Sequence, residues 1–577
     1  MDAIDRHPVK SPAPTFAQLF TPKLVTLLRA GYSFTDFKAD AMAGLTVAIV
    51  ALPLSMAIAI GSGLSPDKGL FTAIVGGFLI SALGGSRFQI GGPAGAFIVL
   101  IAAIVERHGY DGLVLATLMA GLMMAAAGFL RLGTYIKFIP FPVTVGFTAG
   151  IAVIILASQL KELLGLDMPA EPSALVPKLG AIWQSIGTIN PTTVTLAGTA
   201  IAAIIGLRRW RPRWPGMLIA VALTTLIAVL LQLDVSTIGS KFGEVPRTLP
   251  APSLPAFDLE KLQAVFPDAL AIALLGSIES LLSAVIADGM SGRKHRSNCE
   301  LVAQGVGNIV AVTFGGMCVT GTIARTATNI RAGARTPVSG MLHALYILLF
   351  MLVAAPLAAY IPLAALAGVL AVIAWNMAEK REFVGLLRTS WGDAAVLTST
   401  FLLTIFVDLT TAIAVGTLLG VFLFLHRMAE AVEVAGSGPL IVEDAADASG
   451  AARTVYHPDT FDSDIAVYRI SGAFFFGATS AVSAVLDRIG AHPKTFVLDF
   501  SEVPLVDSTA AKALHGFAEK LRHEGTTVYF SGARKNVRRT LLQADLRRPL
   551  VLYAANIEEA VTMSRTSQPT SKIVAGL

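Results

Sequence analysis

The chain has 577 residues, of which 54% are hydrophobic and only 14% charged, whereas soluble domains carry roughly 25% charged residues. A wholly soluble protein is excluded, and an integral membrane protein is indicated. The formal charge of +5 is no nucleic-acid signal, because the basic residues cluster in short loops as the positive-inside rule expects.

Residues 1–40 carry Pro8, Pro12 and Pro14 and no apolar core bounded by a small-residue cleavage site. They read as a cytoplasmic N-terminal segment leading into the first span, not as a cleaved signal. Residues 41–428 hold the apolar excess. Runs such as 45–60, 112–129, 218–231 and 341–355 approach the ~20 residues needed to cross hydrocarbon. The pattern predicts about fourteen spans, several of them short or broken. Arg131 with Lys137, then Arg208, Arg209, Arg211 and Arg213, then Arg293, Lys294 and Arg296, then Lys380, Arg381 and Arg388 mark successive inner loops. An even number of spans puts both termini in the cytoplasm of a cell whose inner membrane the chain crosses.

The first span contains Pro53, which loosens a helix and lets Leu54 and Ser55 contact a ligand. After Gly84-Gly85 the second apolar run breaks at Gln89-Ile90-Gly91-Gly92-Pro93-Ala94-Gly95-Ala96-Phe97. After Gly315-Gly316 a second break reads Val319-Thr320-Gly321-Thr322-Ile323-Ala324-Arg325-Thr326. The two breaks fall at matching places in two repeats, about 41–233 and 265–428. An odd number of spans per repeat inverts one against the other. Backbone that leaves helix inside a bilayer must be buried in protein or line a wet cavity. The expectation is that Ala94, Gly95 and Ala96 form the first turn of a helix, with Pro93 at a favoured early position. Ile323, Ala324 and Arg325 form the matching turn. Two such N-termini, each with about half a positive charge, make an anion site from backbone alone. The alternative is ordinary close helix packing through small residues.

Arg325 is costly at membrane depth and adds positive potential there, unless it pairs with a carboxylate or snorkels to the surface. Glu279 lies mid-span, with Ser283 one turn on and Gly276 about one turn back on the same face. It is the expected coupling group. It can accept a proton or, with Ser283, hold a sodium ion, and the alternative is a structural pair with Arg325. Asp288, Asp393 and Asp408 fall near span ends. Cys299 and Cys318 sit in no metal-spaced or redox pair, and no nucleotide-binding, hydrolase or metalloprotease motif occurs. Neither an enzyme, a metal nor an organic cofactor is indicated.

Residues 429–464 read as an acidic linker. Residues 465–565 alternate strands (465–470, 495–500, 527–530, 551–553) with helices (479–489, 509–524, 536–544), which implies a small layered domain on a mainly parallel sheet. Asp507-Ser508 is a helix cap, and Ser508 is also a candidate phosphorylation site. Residues 566–577 read as a disordered tail.

The Gly92-Pro93-Ala94-Gly95 break, the Ile278-Glu279-Ser280-Leu281-Leu282 span, the run Gly321-Thr322-Ile323-Ala324-Arg325-Thr326-Ala327-Thr328-Asn329 and the Asp507-Ser508-Thr509 turn together resemble the SulP family of anion transporters. The likeness runs from about Phe34 to Arg565 and is nearest to bacterial proton-coupled dicarboxylate carriers. Those carriers have Glu where this chain has Glu279; sodium-coupled bicarbonate carriers have Asp. The resemblance implies a polytopic helical membrane protein with a seven-plus-seven inverted repeat, divided into core and gate. It implies an anion held between Ala94–Ala96 and 323–325, proton-coupled symport by an elevator motion, and a homodimer. It also implies a cytoplasmic STAS domain that can bind a protein partner. The serine matching Ser508 is phosphorylated in related regulators, but Ala510 stands where they usually have Gly. Other readings of the same residues are an uncoupled anion channel or exchanger, or a STAS-based signalling scaffold. Sulfate, bicarbonate and C4-dicarboxylates all suit paired helix ends.

Overall fold

A capping box starts the first long helix, α1 (Phe34–Gly61): Ser33 Oγ accepts from the Asp36 N–H at 3.1 Å, and the Asp36 carboxylate accepts from the Ser33 N–H at 3.3 Å. The helix therefore begins ahead of Ala41. The computed structural model describes residues 15–135, 139–168, 171–172, 174–211, 214–255, 258–436, 464–479, 482 and 493–567. Lys137 and Arg213, two of the inner-loop cations, lie outside these residues.

The chain divides into two units, Met1–Leu418 and Leu419–Leu577. In the first, α1 is followed by α2 (Pro66–Leu83), the short strand β1 (Gly91–Gly92) and α3 (Gly95–Phe129). Gly109, at φ +69°, breaks α3 into two helical segments. A left-handed residue cannot continue a right-handed helix, and glycine adopts it without steric cost. Next come α4 (Phe141–Leu164), α5 (Pro191–Trp210) and α6 (Gly216–Leu230). The order then recurs: α7 (Leu259–Ser291), α8 (Ser297–Thr313), β2 (Thr320–Gly321) and α9 (Ile323–Arg331). They lead into α10 (Val338–Ala358), α11 (Leu363–Met377), α12 (Lys380–Thr389), α13 (Trp391–Phe406) and α14 (Leu409–Glu430).

Among the described residues, nine helices are long and apolar enough to cross a membrane, and α6 and α13 are shorter apolar helices. The fourteen expected segments are thus not all full spans. The nine-residue α9 is only part of one, because it starts at a break at membrane depth. Two packing groups form. One contains α1, α2, α3, α7, α8, α9 and α10, the other α4, α5, α6, α11 and α13, and α1 touches α6 and α11 of the second group.

The segment before α1 is more ordered than a plain leader. Short helices Phe16–Phe20 and Lys23–Ala30 precede α1, and Lys23 Nζ donates to Lys294 O at 2.9 Å, with Arg296 Nη1 donating to Thr26 Oγ1 at 3.0 Å. Residues 1–14 of that segment lie outside the described ones.

In the second unit five strands lie in the order β3–β4–β5–β6–β7: β3 (Glu433–Gly436), β4 (Ile465–Ser471), β5 (Thr495–Glu502), β6 (Thr527–Ser531) and β7 (Leu552–Ala554). The β3–β4 pair is antiparallel and the others are parallel. β3 lies within the stretch 429–464 read as a linker, where Val434 pairs with Ile470. Four residues ending in glycine give too short a pattern to register as a strand. Residues 437–463, the rest of that linker, are outside the described ones. Every residue of 495–500 is buried, as in a central parallel strand covered on both faces. Phe496, Leu498, Phe500 and Phe530 pack on one face with Leu514 and Ala518 of α15 (Ser508–His523). Val497 and Tyr529 pack on the other with Ala560 of a C-terminal helix, Ile557–Ser567. Helix α16 (Lys535–Gln543) completes the alternation. The expected helix 479–489 and the tail beyond Ser567 fall almost wholly outside the described residues.

Candidate anion site

The two breaks cross. β1 and β2 pair antiparallel, Gly91 with Gly321 and Gly92 with Thr320. The Thr322 N–H donates to Ile90 O at 3.1 Å, and the Ile90 N–H donates to Thr326 Oγ1 at 3.2 Å. This small bridge satisfies backbone groups that have no water to turn to in a bilayer.

Each strand feeds a helix start. Ala94 is extended and precedes a tight turn, Gly95–Phe97, that opens α3. Thr322 is the extended residue before Ile323. Neither position supplies a side-chain cap. The first bonded amides are Phe97, to Ala94 O, and Thr326, to Thr322 O. The N–H groups of Gly95 and Ala96, and of Ile323, Ala324 and Arg325, therefore have no intrahelical acceptor. Pro93 differs from expectation. It lies before the cap residue Ala94, outside the helix, because its carbonyl is engaged elsewhere.

That carbonyl accepts from Arg325. Arg325 is 3% exposed, and its Nη2 donates to Pro93 O at 3.1 Å and to Ser55 Oγ at 3.2 Å. Nε and Nη1 have no protein partner. Arg325 thus neither snorkels nor pairs with Glu279. It lies across Gly92, where a Cβ would stand 1.6 Å from Nη1. Ser55 is buried and donates to Ala51 O at 2.7 Å within α1, and its neighbour Leu54 is also buried. Ala94 and Ala96 are buried, Gly95 and Ile323 half-buried, and Ala324 exposed.

Glu279 Oε2, on α7, is buried without a hydrogen-bond partner. Ser283 Oγ donates to Thr326 Oγ1 at 3.2 Å, and Thr320 Oγ1 donates to Gly276 O at 3.1 Å. The face of α7 that carries Gly276 and Ser283 therefore packs on β2 and α9. Ser283 is four residues from Glu279, one turn along α7, and its hydroxyl is occupied as a donor. Among the described residues no group of three or more His, Cys, Asp or Glu could hold a metal ion.

Several residues that the sequence did not single out complete the frame. Gln89 Nε2 donates to Ser280 O at 3.1 Å and Ser280 Oγ at 2.9 Å. Asn329 Nδ2 donates to Phe88 O at 2.9 Å, and Asn308 both donates to Val319 O at 2.7 Å and accepts from the Val319 N–H at 2.9 Å. Each break is thus braced by a buried amide, and a signal existed: polar amides at membrane depth are costly and seldom idle. The acids near helix ends have local partners. Asp288 meets His295 at 2.7 Å, Asp393 and Ser390 cap α13, and Asp408 accepts from the Thr411 N–H at 2.8 Å.

In the second unit Asp507, not Ser508, is the cap: Oδ1 accepts from the Ala510 N–H at 2.8 Å and Oδ2 from the Phe476 N–H at 2.9 Å. Ser508 is the first helical residue and is exposed. Burial opposes ionisation of Asp499, but hydrogen bonds from Ser501, Arg469 and Ser531 outweigh it and hold the carboxyl below the usual carboxylate range.

Comparison with known proteins places this geometry in context. Residues 37–400 match the Sulfate permease family and residues 458–560 the STAS domain. YvdB of Bacillus subtilis, assigned by name to sulfate transport, is 40% identical over 500 residues, covering 86% of this chain and 91% of that protein. The bicarbonate transporter BicA of Synechocystis is 32% identical, covering 88% of this chain and 90% of that protein. The solved transmembrane domain of a cyanobacterial BicA is 33% identical with a TM-score of 0.61, covering 66% of this chain and 98% of that one. The inward-facing structure of the murine anion transporter Slc26a9 covers 97% of both chains at a TM-score of 0.80 and 19% identity, a likeness of fold alone.

Proposed function

The chain belongs to the sulfate permease family, and from that premise we propose that it is a secondary active transporter of a small anion: sulfate, bicarbonate or a C4-dicarboxylate. One observation carries the reading. A buried arginine with no carboxylate partner lies across the crossing of two broken helices, beside two helix N-termini whose first amides have no intrahelical acceptor. Gly95, Ala96, Ile323 and Ala324 donate N–H groups to the anion, and Arg325 contributes charge. Leu54 and Ser55 close the site from α1. No side chain is needed to bind the anion directly, so charge and size are selected before chemical identity.

Glu279, with Ser283, is the coupling site. Protonation of the carboxylate, or a sodium ion held by both oxygens, offsets the charge of the anion and lets the loaded core cross. The core helices α1–α3 and α7–α10 then move against the gate helices in elevator fashion. The chain acts as a homodimer in the inner membrane with both termini cytoplasmic, and the STAS unit faces cytoplasmic protein partners.

The test is uptake into proteoliposomes of radiolabelled sulfate, bicarbonate and succinate, with imposed pH and sodium gradients. Saturable uptake of at least one anion, driven by one gradient and abolished by Glu279→Gln while anion exchange survives, is expected. Unitary currents would overturn the carrier in favour of a channel. Unaltered ion dependence in Glu279→Gln would remove Glu279 from coupling.

A further inference from the structure

Arg325 has a counterpart. The second repeat sends Arg325 across Gly92 to the first repeat's Pro93 carbonyl. The first repeat sends Gln89 across Gly321, where a Cβ would stand 1.5 Å from Gln89 Nε2, to the second repeat's Ser280. Each glycine clears the path for the other repeat's side chain. The two ties differ in chemistry. Arg325 is charged and faces the anion side. Gln89 is neutral, so it supplies no anion attraction, and it ends on the residue next to Glu279. Its orientation is fixed, because a backbone carbonyl accepts only from the amide nitrogen. Gln89 Oε1 is left buried without a partner, as is Glu279 Oε2.

We infer that Gln89 is a positioning residue for ion coupling, linking the state of the α7 turn at Glu279 to the anion half-site at β1 and the start of α3. The inference rests on the coupling reading above. Gln89 lies two residues before β1, which leads through Pro93 to the Gly95 and Ala96 amides. A shift of the Ser280 carbonyl when an ion binds beside Glu279 therefore pulls on the strand that sets those amides. Other routes between the sides carry less. Thr320 to Gly276 stays within the second repeat, and Ser283 reaches the first break only indirectly, through Thr326 Oγ1, which also accepts from the Ile90 N–H. The charged groups on the elements packed against α7 are Arg325 and Arg331 on α9, Glu300 on α8, and Glu106, Arg107, His108 and Asp111 on α3. None of these forms the Gln89 link. Glu300 is occupied by the Gly85 and Ser86 amides, and Arg107 by Asp268.

The test is equilibrium binding of radiolabelled sulfate and, separately, bicarbonate to the purified full chain in nanodiscs. Affinity is measured at acidic and neutral pH and with and without sodium. Coupled sites shift each other's affinity by roughly 5- to 150-fold, so the parent protein should show an ion-dependent shift of at least about fivefold. Glu279→Gln should abolish that shift. Gln89→Met, of similar length and without the amide, should reduce it to less than about twofold. Gly321→Ala, whose methyl would stand 1.5 Å from Gln89 Nε2 and so evicts the amide, should reproduce the loss. If Gln89→Met does not fold, by melting and gel filtration, Gln89→Asn replaces it: it keeps the amide but falls short of Ser280. A full shift in a folded Gln89 variant, or equal loss of affinity in all conditions, overturns the positioning role and leaves the coupling reading intact. A shift that survives in Glu279→Gln overturns the coupling reading itself.

Discussion

Gly92→Ala tests the crossing most directly. Gly92 is not at positive φ, so alanine meets no backbone strain and the whole effect lies in the space above it. The new methyl would stand 1.6 Å from Arg325 Nη1 and 2.9 Å from Cζ. Ordinary contact is about 3.5 Å or more, so the guanidinium must retreat by about 2 Å. It then loses the 3.1 Å bond to Pro93 O and the 3.2 Å bond to Ser55 Oγ. Hydrogen bonds from charged groups contribute about 1.5–3 kcal/mol each. Because the displaced arginine keeps some attraction for the anion, about 2 kcal/mol of lost anion affinity is expected, or roughly 30-fold at about 1.4 kcal/mol per tenfold. The assay is half-saturation of uptake in proteoliposomes, with protein amount and melting temperature as controls. On an Arg325→Ala background the same methyl should cost almost nothing, since its obstacle is gone. A folded Gly92→Ala protein within about threefold of the parent (under 1 kcal/mol), or full additivity with Arg325→Ala, would refute the placement of Arg325 over the strand.

Arg325→Ala should weaken anion binding by more than about 1 kcal/mol. Arg325→Lys should not restore it, because an ammonium lacks the additional guanidinium donors, Nε and Nη1, that have no protein partner here; unchanged binding constants in Arg325→Ala would make the arginine structural. Asp507→Ala should cost about 1 kcal/mol through the lost cap, and hydrogen exchange should show faster amides at Ala510 and Phe476 with β5 protected as before. Asp499 has a folded value below its unfolded one, so its stabilisation is complete above the unfolded value, about 3.9, and is lost as pH falls through the folded value. Asp499→Asn should therefore lower the melting temperature of the STAS unit at neutral pH and flatten its acid limb. An unchanged acid limb would contradict the ionised buried carboxylate.

Much of the membrane unit was legible because bilayer physics writes large patterns. Long apolar runs gave the spans, and glycine with proline or polar residues at matching places gave the breaks, down to Ile323 as the first residue of α9. The pairing of the breaks with each other was not legible. Two residues per strand leave no periodicity, and the partner lies over two hundred residues away. For the same reason Gln89 read only as an interruption: its importance depends on Ser280 and Gly321, which touch it in the fold and not along the chain. Pro93 misled because proline favours the first helical turn in general, whereas here a tertiary demand on its carbonyl holds it outside. The strand at Glu433–Gly436 was hidden by its acidic, small-residue surroundings, since edge pairing requires no apolar run of its own.

On the proposed function, the antiparallel crossing gives one site two chemically different sides. Equivalent segments that pair antiparallel are related locally by a two-fold rotation, and a two-fold alone would make the two sides alike. Symmetry is broken by the side chains laid over the two glycines: a permanent cation over Gly92 and a neutral amide over Gly321. The acid completes the contrast, because Glu279 stands on α7 and the equivalent stretch of α1, around Leu54 and Ser55, has no carboxylate. In the proposed function, Arg325 therefore marks the anion side and Glu279 the side of the proton or cation. Transferring the charge, as in Arg325→Gln with Gln89→Arg, should therefore cost more than either change alone. It would aim the cation at Ser280, next to Glu279 in the chain, and leave the proposed anion side with dipoles only. An anion affinity in the double variant equal to that of Arg325→Gln alone would show that the two sides do not communicate through the crossing.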